Sequence, residues 1–132
     1  MAEMNMYNAL NANIVIGGRT IQGFQENDMF SYTFDEEQIK TSVDAQGKAS
    51  GAINNNHSGK VTINLSGTSV DHKYLNNIGN AHKEVTLQIN SEFEKITGTQ
   101  AYIDKIPDGA FGKDVPKRTY TFKVLDLHVE AL

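Results

Sequence analysis

Strict alternation of apolar and polar residues is the pattern that most constrains this chain. In "GKVTINLS" the apolar side chains of Val61, Ile63 and Leu65 alternate with polar neighbours, and "MFSYTF" and "EVTLQIN" repeat the pattern. A period of two residues is typical of a strand with one face in a core and the other in water. The sequence therefore predicts a mostly β fold of roughly six to eight antiparallel strands, as a barrel or a two-sheet sandwich. We expect one domain over residues 1–132.

Two local signals shape the predicted strands. Gly17-Gly18 lies between "LNANIVI" and "RTIQGF", which predicts a two-residue hairpin turn. In "RTYTFKVLDLHVEAL" the apolar residues keep one phase up to Val124 and take the other phase from Leu125 onward. A strand that changes phase half-way is predicted to be bent or bulged.

One segment, "TSVDHKYLNNIGN", has the period of an amphipathic helix and predicts a single helix flanking the strands. Thr68 and Asp71 have the spacing of a capping box at its start, and Gly79 is expected to end it. Asp71 is expected on the exposed side. The predicted apolar stripe consists of Val70, Tyr74, Leu75 and Ile78.

Composition and charge exclude several classes of protein. The chain has no cysteine, so it has neither disulfides nor thiolate metal ligands. Its formal net charge of −4 argues against gripping nucleic acid through phosphates. The most basic stretch, "KDVPKR" at residues 113–118, also contains Asp114. With no signal-peptide pattern in "MAEMNMYNAL" and no long apolar run, we expect a soluble protein that folds in a cytoplasm and does not enter a membrane.

No arrangement of residues in the sequence predicts catalysis or a cofactor. Asp35, Glu36 and Glu37 lie where the strand phase breaks, which is typical of a solvated corner rather than of a catalytic acid pair. We therefore expect no enzyme activity, no cofactor and no metal site. The four histidines lack metal-ligand spacing; they are His57, His72, His82 and His128.

The stretch "DAQGKASGAINNNHSG", residues 44–59, is unusually long and polar for a connection between two predicted strands. Its only large apolar side chain is Ile53. Such a segment has little with which to order itself against its own core. We expect a loop that is mobile in the free chain and becomes ordered when another chain supplies contacts.

The order of these elements resembles that of the small tail tube proteins of contractile-tailed phages and phage-tail-like bacteriocins. The resemblance spans most of the chain. Its most specific part runs from Val43 to Ile78, through the turn "DAQGK", the polar loop, "SGKVTINL" and "TSVDHKYL". It implies a small β barrel or two-sheet fold with one flanking helix, and hexameric rings that stack into a hollow tube. The implied partners are further copies of the chain, a tail sheath, and baseplate and tape-measure proteins. DNA would pass through the lumen without specific binding. The implied location is a virion tail assembled in the bacterial host cytoplasm.

The resemblance also implies roles for particular segments. The stretch 44–59 would reach a neighbouring subunit or ring, and residues 1–9 and 129–132 would lie near inter-subunit contacts. Gln46-Gly47 replaces the Asp-Gly turn of the family, which leaves the geometry of the loop open. The residues implied in the inter-subunit loop are Asp44, Gly47, Lys48, Ile53, Asn54, Asn55, Asn56 and His57.

Alternative functions remain open at this point. The tube could belong to a non-contractile tail or a secretion system. In a different class, the chain could be a monomeric β sandwich that binds carbohydrate. Such modules present exposed aromatic platforms, and here there is no tryptophan and only Tyr7, Tyr102 and Phe111 lie outside the predicted strand cores.

Overall fold

The strands and the helix follow the predicted periodicities closely. The computed structural model describes residues 8–24 and 28–132. In these residues it has ten strands, one α-helix and a short 3-10 helix at Ala9–Asn11. The elements are β1 (Asn13–Ile16), β2 (Arg19–Thr20), β3 (Phe30–Phe34), β4 (Ile39–Val43), β5 (Ala49–Ile53), β6 (Gly59–Ser66), α1 (Asp71–Ala81), β7 (Val85–Asn90), β8 (Glu94–Ile103), β9 (Lys117–Val124) and β10 (His128–Ala131). The mostly antiparallel β fold with one flanking helix is confirmed. The strand number exceeds the expected range because β5 was not predicted and the C-terminal segment forms two strands.

Eight strands form one antiparallel sheet in the order β2-β1-β7-β8-β9-β6-β3, with β10 also paired to β8. The hydroxyl of Tyr32 on β3 donates a hydrogen bond to Glu94 on β8. Two strands, β9 and β6, lie between β3 and β8 in the sheet order. The sheet therefore curls until its two parts face each other, which agrees with the predicted barrel or sandwich.

The core lies inside this curl and is made by the alternating residues of the strands. Along β6 every second residue is buried, beginning with Gly59, and β9 alternates in the same way. Burial of large apolar side chains contributes roughly 1.5–3 kcal/mol each to folding. The largest fully buried side chains are Tyr120, Phe122, Ile14, Ile16, Ile21, Ile63, Leu65, Leu75, Leu87, Ile89, Ile96 and Val61.

The two-residue turn between β1 and β2 is confirmed. Gly17 and Gly18 both have positive φ angles, 58° and 85°, and the flanking pair is Ile16 opposite Arg19. Residues with a side chain adopt two successive positive φ angles only with strain, so the glycines define this hairpin.

The bend predicted in the C-terminal segment is also present. Strand β9 pairs with residues 101–103 of β8, and β10 pairs with residues 94–97 of the same strand. Between them, the carboxylate of Asp126 turns inward and accepts hydrogen bonds from the backbone N–H groups of Thr99 and Gln100, at 3.0 Å each. Partial burial acts to raise the pKa of Asp126, but the hydrogen bonds from Thr99 and Gln100 outweigh it and leave the pKa lowered. The side chain thus replaces the strand partner that the bend removes.

Both predicted ends of the helix are wrong in detail. The helix begins at Asp71, and its N-cap residue Val70 makes no side-chain capping bond. The Ser69 hydroxyl instead accepts from the Asp71 N–H at 3.2 Å, so no Thr68–Asp71 capping box forms. At the other end the helix passes through Gly79 to Ala81, and His82 adopts the left-handed conformation with φ 52°.

The buried side of the helix also differs from the predicted stripe. Leu75 and Ile78 are buried and Tyr74 is half-buried, whereas Val70 is exposed. Gly79 is buried because the side chains of Ile103 and Ile106 pack against it, which leaves no room for a side chain there. In the described ranges, no helix is long and apolar enough to cross a membrane.

Candidate assembly surface

The most prominent surface feature is a hairpin formed by β4 and β5, which pair with each other and form a sheet separate from the main one. Every residue of both strands is exposed. The expectation of an irregular loop over residues 44–59 is therefore wrong at Ala49–Ile53, which form β5. In an irregular loop the backbone N–H and C=O groups would lack partners within the chain. In the hairpin, β4 and β5 supply these partners to each other. We call the segment Ile39–Ile53 the arm.

The two faces of the arm differ in polarity. Directly opposite residues of antiparallel strands share a face, and Ile39 pairs with Ile53 while Val43 pairs with Ala49. The apolar face consists of Ile39, Thr41, Val43, Ala49, Gly51 and Ile53, and the polar face of Lys40, Ser42, Ser50 and Ala52. Ile53 is 78% exposed and Ile39 is 64% exposed, so an amphipathic ribbon presents its apolar side to water.

The tip of the arm is ordered by Asp44. Its Oδ1 accepts hydrogen bonds from the N–H groups of Gln46 and Lys48, both at 2.9 Å. The Gly47 N–H donates to the Asp44 carbonyl at 3.0 Å, and Gly47 has a φ of 85°. The glycine of "DAQGK" thus occupies the position that needs a positive φ, which resolves the geometry that Gln46-Gly47 had left open.

A polar clamp holds the base of the arm. The Asn54 side-chain amide donates to Glu36 Oε2 at 3.0 Å and to the Glu37 carbonyl at 2.9 Å, and Asn56 also donates to Glu36 at 3.0 Å. The hydrogen bonds from Asn54 and Asn56, with a smaller effect of Lys40, lower the pKa of Glu36. The acidic corner expected to be merely solvated therefore orients the arm.

The structure separates the residues that the sequence grouped in one loop. Asp44, Gly47 and Lys48 lie at the tip, Ile53 on the apolar face, and Asn54 and Asn56 in the clamp at the base. Asn55 is exposed and makes no side-chain hydrogen bond in the described structure. The carbonyl of His57 accepts from the Leu127 N–H at 3.0 Å, which attaches the segment to the sheet.

A second apolar surface lies around the β7–β8 turn. The Leu132 N–H donates to the Phe93 carbonyl at 2.8 Å, and both side chains are exposed. Asn11 donates to Glu92 of this turn at 2.5 Å, and the preceding residue, Leu10, is also exposed. Of residues 129–132, Leu132 therefore contributes an exposed apolar side chain at this turn. Of the implied N-terminal contact segment, residues 1–7 lie outside the described residues.

Three strands of the main sheet have an open edge within the described ranges. Each of β2, β3 and β10 pairs with a single neighbour. Open edges present unpaired backbone groups and normally need protection. The chain therefore offers both an apolar ribbon and strand edges to another molecule.

Sequence reasoning missed β5 because its residues are poor strand formers. Ala49, Ser50, Gly51 and Ala52 carry little β propensity or hydrophobicity. The sequence did contain a signal for β5: the predicted strand "QIKTSV" is followed by the tight turn "DAQGK". A strand that ends in a tight turn is usually followed by a second strand that pairs with it.

Comparison with known proteins supplies no match by sequence and clear matches by structure. Neither a protein-family model nor a curated protein matches the chain. A solved chain of an extracellular contractile injection system, the PVC sheath-tube complex in its extended state, matches with a TM-score of 0.64 over 96% of this chain and 93% of the other, at 13% identity. The chain has a tail-tube-like fold.

Two further structures support this assignment of the fold. A chain of a native gene transfer agent virion matches with a TM-score of 0.67 and 16% identity, over 96% of this chain and 99% of the other. A chain of the anti-feeding prophage cap, described as terminating a tube, matches with a TM-score of 0.63 and 11% identity, over 100% and 95%. Near-complete coverage on both sides means that the likeness extends over almost the whole length of both chains.

Proposed function

We propose that this protein is the structural subunit of the inner tube of a contractile tail or injection system. Copies associate into hexameric rings, and the rings stack into a hollow tube enclosed by a sheath. The observation that carries the proposal is the arm, an amphipathic hairpin with its apolar face in water on a tail-tube-like fold.

The physical argument begins with the arm by itself. A two-stranded hairpin is only marginally stable in water, and this one has no third strand among residues 8–24 and 28–132. Burying the side chains of Ile39, Val43 and Ile53 against another copy removes their apolar surface from water, at roughly 25 cal/mol per Å². Association thus stabilises an element that a monomer leaves exposed.

Another copy of the chain would also pair with the open strand edges. Pairing of one copy's edge with the edge of the next removes the unpaired backbone groups without closing the barrel within one chain. A contact between two different surfaces of the same chain is heterologous, so it propagates into closed rings or extended stacks. A tube combines the two: subunits close into rings, and the rings stack along an axis.

The charge of the chain suits a conduit. With a net charge of −4, the chain as a whole does not favour binding of phosphate groups. DNA would then pass without specific binding, and the baseplate and tape-measure proteins would set where the tube begins and how long it becomes.

Electron microscopy of the purified protein across a concentration series tests the proposal. We expect rings or hollow tubes with six-fold symmetry, together with concentration-dependent light scattering. Monodisperse particles of 14.6 kDa at all concentrations, with and without a preformed baseplate, would refute the proposal.

Paired variants of the arm test the role of its apolar face. The double variant Ile39→Ser/Ile53→Ser replaces one cross-strand pair on that face, and Lys40→Ser/Ala52→Ser replaces the adjacent pair on the polar face. We expect the first variant to fold but not to assemble, and the second to assemble normally. Equal assembly of the two variants would exclude the apolar face from the contact.

A further inference from the structure

The two arginines of the chain, Arg19 and Arg118, have opposite surroundings. Arg19 is half-exposed and forms a salt bridge with Asp71 at 2.6 Å. Arg118 is only 8% exposed, yet it forms no salt bridge with any described residue. Arginine is rarely buried this far unless it is paired with an acid.

The hydrogen bonds of Arg118 leave one side of its guanidinium group unused. Nη1 donates to the carbonyl of Lys117 at 2.7 Å. Nε and Nη2 have no acceptor among the described residues, although no fully buried side-chain nitrogen there is unsatisfied. Both atoms therefore keep contact with solvent. Their N–H groups point in parallel and form the fork that binds the two oxygens of a carboxylate.

Two residues that precede β9, Gly109 and Phe111, lie close to the guanidinium group of Arg118. The Phe111 ring lies with its centroid 5.0 Å from Cζ. A Cβ atom at Gly109 would lie 3.0 Å from Nη2, 3.1 Å from Cζ and 3.3 Å from Nε, and such similar distances place Gly109 over the plane of the group. The bond to Lys117 and these two neighbours restrain the group, while Nε and Nη2 have no acceptor among the described residues.

A positive charge in this position favours an anionic partner. Removing a guanidinium group from most of its water is costly unless a counter-charge compensates, and no described acid forms an ion pair with Arg118. A bidentate carboxylate satisfies both free N–H groups and the charge at once. Because the fork is already oriented, little conformational entropy is lost when it binds.

We propose that the Nε/Nη2 fork of Arg118 receives a carboxylate from a second copy of this chain when subunits assemble. The inference rests on the proposed tube function and identifies one contact within it. The loop between β8 and β9, residues 104–116, carries Phe111, which is 85% exposed, and Val115, which is also exposed. Apolar groups beside an oriented arginine are typical of the energetic centre of a protein interface.

The surroundings favour a carboxylate over a phosphate group of a nucleic acid. Binding of nucleic acid depends on several cations that together neutralise a phosphate backbone. Here residues 104–116 carry Asp104, Asp108 and Asp114 against Lys105 and Lys113, so they form no concentrated basic patch. A single carboxylate, by contrast, can be bound by the Nε/Nη2 fork of Arg118 alone.

Assembly of Arg118→Lys tests the inference, because lysine keeps the positive charge but lacks the fork. The matched control is Lys113→Met, which removes a charge from the same loop. We expect the wild type and the control to share one threshold concentration for assembly. The threshold of Arg118→Lys should be at least about ten-fold higher, the usual loss for a charge-assisted bidentate contact. Its melting temperature should stay within a few degrees of that of the wild type.

A cryo-EM map of the assembled wild type provides the direct measurement. A carboxylate of a neighbouring copy within hydrogen-bonding distance of Nε and Nη2 is the expected result. If wild-type tubes form with water or an acid of the same chain at the fork, the inference fails and the tube function stands. If the wild type forms no tubes under any condition, both fail.

Discussion

The carboxylate of Asp71 binds the guanidinium group of Arg19, with 2.6 Å between Oδ1 and Nε, and its other oxygen accepts from the Gln22 N–H at 2.7 Å. Asp71 is the first residue of the helix and Arg19 lies on β2, so one buried carboxylate joins the helix to the β1–β2 hairpin. Arg19 also lies over the ring of Tyr74, 4.9 Å from its centroid. The sequence predicted that Asp71 is exposed at the start of the helix. In the structure its carboxylate is buried and connects the helix to the hairpin.

Replacement of Asp71 is therefore expected to be costly. Asp71→Ala leaves the Gln22 N–H without its partner and removes the ion pair, although the half-exposed Arg19 can recover water. We expect the free energy of unfolding to fall by about 2 kcal/mol in urea denaturation. The control is Asp104→Ala, which breaks the exposed pair with Lys123 and should cost under about 0.5 kcal/mol. Equal losses would mean that the buried carboxylate of Asp71 contributes no more than a surface pair.

Two strand glycines are expected to respond differently to the same substitution. A Cβ at Gly59 would lie 2.6 Å from the carbonyl oxygen of Thr33, which is backbone and cannot turn aside. Gly59→Ala should therefore lower the free energy of unfolding by about 2 kcal/mol. At Gly51 in the arm the nearest atom would be 3.9 Å away, so Gly51→Ala should change it by less than about 0.5 kcal/mol. Thermal melting of both variants measures the difference, and a Gly51→Ala loss as large as that of Gly59→Ala would contradict the packing argument.

Stability is expected to fall in acid through Asp126. Its pKa in the folded protein is below the ordinary value of 3.8, so its contribution is present above that value and is lost as pH falls through the folded pKa. At neutral pH, Asp126→Asn should be less stable than the wild type by about 1 kcal/mol, after allowance for solvent screening of a partly exposed group. Denaturation from pH 7 down to pH 3 should show the difference shrinking below about pH 4. A difference that stays constant over this range would show that the charge on Asp126 is irrelevant to the bend.

The clamp at the base of the arm is expected to limit its motion before assembly. Asn54→Ala removes the hydrogen bonds to Glu36 and Glu37, whereas the adjacent Asn55→Ala removes none. Hydrogen exchange of the β4 and β5 amides in the free subunit should therefore be faster in Asn54→Ala than in the wild type, and unchanged in Asn55→Ala. If the wild-type arm already exchanges at the rate of an unstructured peptide, the clamp does not order it. The earlier expectation of a loop that is mobile until assembly would then hold.

The sequence determined the features that depend on neighbours in the chain. The period of two residues placed β3, β6 and β7, and the two glycines fixed the turn between β1 and β2, because backbone conformation and the burial of one face are set within a few residues. The change of phase at Leu125 likewise predicted the bend, since side-chain direction reverses when one residue is added.

Only the tertiary structure decided the features that depend on distant partners. Ala49 and Gly51 belong to a strand because β4 lies opposite them, not because of their own propensity. Asp71 is buried because Arg19, 52 residues earlier, meets it across the fold. Arg118 remains without an acid because none is brought to its fork in the described part of the chain. Such interactions depend on the approach of segments far apart in sequence, which no local pattern records.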